Sequence, residues 1–305
     1  MSRASSAPDG KPVPGGVGIR VAGLSHAWGT TTALADIATS IHPGSFVAIV
    51  GASGCGKSTL LRLLAGLESP SRGTITIDGA SPDEVRRQRR IGWLAQRPAL
   101  MPWLTVQENI ELATSIHADA PPEPGAGELI HLVGLDGFGD ALPATLSGGM
   151  QQRTALARTL ALGAPLWLMD EPFAALDELT REALAEDLVA IWHRLRPTVV
   201  WVTHHLGEAV ALADRVLVLS PRPGRIVADI TVDLPRPRDV TAPASQDIVR
   251  HARTMLTQAD HEPHSGATPA PPPHDDADAD DADEPAHDAE PAGHGRRHPL
   301  TGART

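Results

Sequence analysis

Tyrosine is absent from this 305-residue chain and aromatic residues make up only 3% of it, so aliphatic side chains must fill most of any core. The hydrophobic fraction of 41% is enough to build one. Cysteine occurs once, at Cys55, which excludes an internal disulfide and suits a reducing compartment. No apolar run is long enough to cross a bilayer and no secretory signal is evident, so membrane association is expected only through a partner. A basic excess is missing too, since 26 Lys and Arg stand against 37 Asp and Glu. From His261 to Thr305 ten acidic and three basic residues carry −7 of the net −11, leaving −4 for the first 260 positions. A body so close to neutral gives no support for a nucleic-acid-binding surface, and no nucleic acid is expected as a partner. Lysine occurs only at Lys11 and Lys57.

Lys57 lies in Gly51-Ala52-Ser53-Gly54-Cys55-Gly56-Lys57-Ser58-Thr59, which fits the phosphate-loop pattern G-x-x-x-x-G-K-[ST] at every fixed position. The apolar run Phe46–Val50 leads in and a helix-like Leu60–Leu64 leads out, the strand–loop–helix context that the motif requires. Its glycines allow successive N–H groups to point at phosphate oxygens, and the new helix adds its positive end. Lys57 is expected to reach the β and γ phosphates and Ser58 to offer a hydroxyl to Mg²⁺. A chain that otherwise writes its positive charges as Arg keeps a compact ammonium here, where a planar guanidinium would not fit. Cys55, at a helix N-terminus beside Lys57, is expected to favour its thiolate, although a small filler of the loop is its plainer role.

Along the chain, residues 1–16 are Ser-, Pro- and Gly-rich and are expected to form a disordered leader. Residues 17–240 carry strands alternating with helices, an α/β pattern that predicts a largely parallel sheet with helices on its faces. A helical insertion is expected over about 97–160, interrupted by the break Ala120–Gly125, with the exposed apolar loop Met101-Pro102-Trp103-Leu104 at its start. Arg86–Arg90 is a basic cluster best explained as a solvated helix face. One last helix is expected within 241–260. The acidic, His-rich stretch 261–305 lacks large apolar residues and is expected to be disordered; its irregular His spacing defines no fixed metal site.

Two further stretches carry chemistry. Leu166–Met169 is an apolar strand ending in Asp170 and Glu171; a buried strand would place Asp170 to hold Mg²⁺ and Glu171 to polarise an attacking water. Leu146-Ser147-Gly148-Gly149-Met150-Gln151-Gln152-Arg153 sets a Ser hydroxyl and two glycines before a helix, a second anion-binding helix start. A triphosphate needs only one such start in cis, so the second is expected to serve the nucleotide of another copy.

The Leu146–Arg153 octapeptide resembles the signature motif of ATP-binding cassette (ABC) proteins, and the family's other elements follow in its order: Trp28, Gln96, Ala174-Ala175-Leu176-Asp177 and His204. The resemblance covers residues 17–230 and implies a phosphate-loop ATPase of the ABC type, with a RecA-like core, an antiparallel β subdomain and the helical insertion. It implies two ATPs sandwiched in a head-to-tail dimer, each between Gly51, Ser53, Gly54, Cys55, Gly56, Lys57, Ser58 and Thr59 of one copy and Ser147, Gly148 and Gly149 of the other. Trp28 would stack on adenine, Gln96 would join Ser58 and Asp170 at Mg²⁺, Asp177 would complete the nucleotide contacts, and Glu171 would act as base. Alternation along Val199–Thr203 is expected to send His204 and His205 to opposite sides and does not choose between them; the family pattern Val-Thr-His chooses His204 as the switch residue that would contact the γ-phosphate. The runs Met101–Asn109, Asp170–Asp177 and Ser220–Ile226 are similar to those of nitrate, sulfonate and taurine importers. Such a subunit would sit on the cytoplasmic face of the membrane beneath a permease supplied by an extracytoplasmic solute-binding protein. A soluble single-cassette ABC ATPase, or an importer for another small solute, stays open as an alternative.

Overall fold

The computed structural model describes residues 15–115 and 124–261, all within one compact unit. The leader up to residue 14, the centre of the Pro/Gly break and the stretch from 262 onward lie outside the described residues, and with them the expectations of disorder and the reading of the tail histidines.

Two sheets carry the architecture. Strands β1 (Ile19–Trp28), β2 (Thr31–Ile41) and β4 (Arg72–Ile77) form an antiparallel sheet in the order β2-β1-β4. Strands β3 (Phe46–Gly51), β5 (Ile91–Leu94), β6 (Leu166–Asp170), β7 (Thr198–Val202), β8 (Arg215–Leu219) and β9 (Ile226–Thr231) form the second, in the order β5-β6-β7-β3-β8-β9. The five strands from β5 to β8 run parallel, and β3, β6 and β7 are buried at every residue, which is why they are written almost entirely in apolar residues. β9, antiparallel at the edge, exposes alternate residues, and the sequence pattern missed it.

Helix α1 (Lys57–Leu64) leaves the loop after β3 and buries Leu60, Leu61, Leu63 and Leu64 in a core shared by both sheets. α2 (Pro82–Arg87) is N-capped by Ser81, and its arginines are solvated as expected, Arg86 and Arg87 pairing with Asp83. The second core gathers α3 (Val106–Thr114), α4 (Ala126–Leu132), α5 (Gly148–Ala161), α6 (Glu178–Leu195), α7 (Leu206–Leu212) and α8 (Pro243–His261) around the other face of the parallel sheet. α3 opens with a capping box, Thr105 and Glu108 each satisfying the other's backbone N–H. Asn109, wholly buried on its first turn, accepts from the Met101 amide at 2.8 Å and donates to the carbonyls of Met101, Leu104 and Thr105. One side chain therefore pins the loop that presents Trp103, 70% exposed, to solvent. Among the described residues no helix is long and apolar enough to cross a membrane.

Candidate active site

The parallel strands deliver their carboxyl ends to one edge, and there the predicted residues collect. β3 hands the chain to the phosphate loop, β6 ends at Asp170, β7 runs into Thr203–His205, and β5 leads to Gln96. Two adjoining cavities result. One, of about 470 Å³, is lined by Trp28, Ser53, Gly54, Gly56, Lys57, Ser58, Thr59, Gln96, Glu171 and Arg222. The other, of about 600 Å³, shares Ser53, Lys57, Gln96 and Glu171 and adds Gly51, His204, Pro221, Leu256 and Thr257.

Within the loop, Gly56 caps α1 at φ +107°, and a Cβ there would lie 2.7 Å from Leu34 Cδ2 and 2.9 Å from the Ala33 carbonyl, so only glycine fits. The Lys57 ammonium donates to the carbonyls of Gly51 and Ala52 at 2.8 and 2.9 Å, which holds it at the cavity floor. Cys55 departs from expectation. It is 1% exposed, its amide donates to Ala52 rather than outward, and burial pushes its thiol up despite Lys57 nearby. Desolvation outweighs the favourable charge, so the thiolate is disfavoured and the side chain is a filler of the loop.

Asp170 is 5% exposed, and its Oδ1 is buried without a protein partner. Burial raises its carboxyl above the usual range, and the Ser58 side chain beside it draws it partly back. A hydroxyl and an orphaned carboxylate oxygen at the head of a phosphate loop are the donor set that a hard divalent cation accepts, so the residues fit Mg²⁺. Glu171 follows in the left-handed region at φ +49°, anchored by its amide to the Val202 carbonyl. That turn points its carboxylate across the chamber, with Oε2 3.5 Å from Gln96 Nε2 and Oε1 3.4 Å from His204 Nδ1. Strain of this kind persists where packing over-determines it.

The two histidines do not diverge. β7 ends at Val202, so strand alternation never reaches them; their rings lie 4.0 Å apart on one side, and it is His204 that meets Glu171. His205 precedes α7, and burial, aided by His204 and Arg181, holds its pKa below the ordinary value.

Trp28 ends β1 at the mouth of the first cavity, 44% exposed, with its ring edge-on to His26 at 4.7 Å. Ser147, Gly148, Gly149 and Asp177 line neither cavity. Ser147 caps α5 through the Met150 amide, Gly149 abuts the Ala175 carbonyl, and Asp177 caps α6 by accepting from Thr180, whose two hydrogen bonds hold that carboxyl below the usual range. Sequence reasoning missed Arg222, Leu256 and Thr257 as walls of the site. Only Arg222 left a trace, inside a run noted for its likeness to importers.

Comparison with known proteins meets this geometry from another side. The family model described as ABC transporter matches residues 34–174. An aliphatic sulfonates import ATP-binding protein of Burkholderia cenocepacia is 46% identical over 217 residues, 71% of this chain and 79% of that protein. The nitrate import ATP-binding protein of Synechocystis is 46% identical over 209 residues, 68% of this chain and 78% of that protein. Among solved structures, the ATP-binding cassette MJ0796 in a dimeric post-hydrolysis state with ADP and Pi bound superposes with a TM-score of 0.64 at 31% identity, covering 71% of this chain and 99% of that one. A phosphate loop, an acidic strand end and a facing histidine lie together in a chain that is nearly half identical to the two import ATP-binding proteins over two thirds of its length: the chain belongs to the ABC transporter family, as an ATP-binding and ATP-hydrolysing subunit.

Proposed function

We propose that the chain powers the uptake of a small anion, a sulfonate or nitrate, through a separate membrane permease. The observation that carries the chemistry is the convergence of Lys57, Glu171, His204 and Gln96 on one chamber, with Asp170 directly before Glu171 at the end of β6. Bound Mg²⁺, held by Asp170 and Ser58 with Gln96 at its edge, would supply charge neutralisation to the phosphates. Lys57 and the loop amides of Gly51–Thr59 orient the triphosphate, and Trp28 receives the adenine face. Glu171 takes the proton of the attacking water, and His204, 3.4 Å from that carboxylate, holds the γ-phosphate end in line. Gln96 bonds toward the same carboxylate and ties the hydrolytic geometry to the helical region of α3–α5.

Because Ser147, Gly148 and Gly149 open α5 away from the cavities of their own chain, they are offered to the nucleotide of a second copy in a head-to-tail dimer, with Asp177 at the seam. The exposed Trp103 loop, pinned by Asn109, is the surface for the permease, which keeps the subunit peripheral at the cytoplasmic face; a solute-binding protein acts on the far side.

Glu171→Gln tests both parts. Its ATPase rate is expected to fall at least about 100-fold, as for loss of a general base, and with ATP bound it is expected to retain a polytopic permease from detergent-solubilised membranes. Hydrolysis at the parent rate refutes the role of Glu171. Recovery of soluble proteins alone leaves the ATPase intact and favours a single-cassette ATPase without a permease.

A further inference from the structure

The Ser220–Ile226 run joins β8 to β9, about 165 residues beyond the phosphate loop, and the function above makes no use of it. It closes on itself through Ser220, whose amide donates to the Arg225 carbonyl at 2.9 Å and whose hydroxyl accepts from the Arg225 amide at 3.0 Å. It is then sewn to the strand beside the base platform: the Gly224 amide donates to Ala33 at 2.9 Å, and the Ala35 amide donates back to Gly224 at 3.0 Å. Gly224 lies so close to the phosphate loop that a Cβ would fall 2.2 Å from the Cys55 carbonyl. This connection is therefore fixed against both the loop and β2.

Its tip is Arg222. Nε and Nη2 donate to the Gly54 carbonyl at 3.2 and 3.0 Å, which locates the guanidinium at the crest of the loop. A guanidinium has five N–H donors, so three remain. The side chain is exposed and lines the same cavity as Trp28, Ser53, Gly54 and Lys57. Among the described residues no carboxylate lies within ion-pair distance of it. A fixed, uncompensated cation with free donors, set between a base platform and a phosphate cradle, has one fitting ligand there, the phosphates of the bound nucleotide.

We propose that Arg222 is a nucleotide-binding residue, a second cation that meets the phosphates of ATP beside Lys57. The proposal rests on the assignment of these cavities to ATP. Gly54 fixes one side of the guanidinium, and the free N–H groups make charge-assisted bonds to phosphate oxygens.

The test is calorimetric binding of ATP, ADP and adenosine to the full-length protein and to Arg222→Ala, Arg222→Gln and Arg222→Lys. Gln retains an N–H for the Gly54 carbonyl and loses the charge; Lys retains the charge. Ala and Gln are expected to weaken ATP and ADP about tenfold and to leave adenosine unchanged, with Lys within about threefold of the parent. KM for ATP rises in step with kcat little altered, and the salt dependence of ATP binding becomes shallower. Parent-like ATP affinity in Arg222→Gln, or a loss shared equally by adenosine, overturns the proposal, the latter because it marks a deformed loop. Failure of the parent protein itself to bind ATP would instead remove the assignment of the site.

Discussion

Glu208 shows how one residue can shape the site without facing the nucleotide. It lies at the start of α7, half-buried, and accepts from the Trp201 indole, with Thr203 also beside it. Arg181 of α6 and His204 are the charged groups that bear on it. Trp201 in turn packs edge-on against Phe173 at 4.8 Å, two residues past Glu171, so the carboxylate braces β7 against the turn that holds Glu171. Burial raises the Glu208 carboxyl above its ordinary value near 4.5. The folded state then binds the proton more tightly than the unfolded one, so this group favours folding at acidic pH and loses that contribution as pH rises above about 4.5 through its raised pKa. Glu208→Gln keeps an acceptor for Trp201 and removes the charge. Denaturant midpoints at pH 5 and pH 8 are expected to show the variant gaining on the parent as pH rises; parallel midpoints would mean that the carboxyl titrates normally. Residues of this kind leave no motif. Lys57, Asp170 and Glu171 were legible because their chemistry needs fixed neighbours in the chain, whereas Glu208 owes its state to burial, which only the packed fold supplies. Cys55 failed for the same reason, since its local neighbours predicted a thiolate and its burial decided otherwise.

Strand and helix cores were readable from the sequence because β3, β6 and β7 are mostly apolar and α5 and α6 keep a helical period between clear caps. β9 was not, because Val227 and Ala228 blur its alternation and its register comes from pairing with β8. The histidines after β7 were misjudged by carrying strand alternation past its end at Val202. Asn109 is the most exacting element-scale device. It joins the first turn of α3 to the Met101–Thr105 loop by four hydrogen bonds, using both amide protons and the carbonyl. Asn109→Ala would leave the loop's buried groups without partners at a cost of about 2–3 kcal/mol, read as a lowered urea midpoint. ATP binding, which involves none of that loop, is expected to stay at the parent level, and permease capture by the loop around Trp103 is expected to fall. A variant with an unchanged midpoint would show that water replaces the amide.

On the scale of the whole molecule, the start of α5 lines neither cavity beside the phosphate loop of its own chain, and in the proposed dimer it serves the nucleotide of the second copy. Glu171→Gln with ATP is expected to move from 32.1 kDa to twice that mass in light scattering. Adding Ser147→Arg is expected to return it to the monomer while ATP binding persists. A monomer in the first case, or a persistent dimer in the second, would place the second anion site elsewhere. Long-range closure of the nucleotide cavities was the least legible level: Arg222 and Leu256 reach the loop from about 170 and 200 positions away, and nothing local announces it.

Helix α8 gives that last contact a wider meaning. Leu256 and Thr257 share a cavity wall with Lys57, Glu171 and His204, although they belong to a segment well beyond the matched residues 34–174. A change in a helix that carries none of the motifs can therefore reset the idling rate of this motor while every motif residue stays as it was.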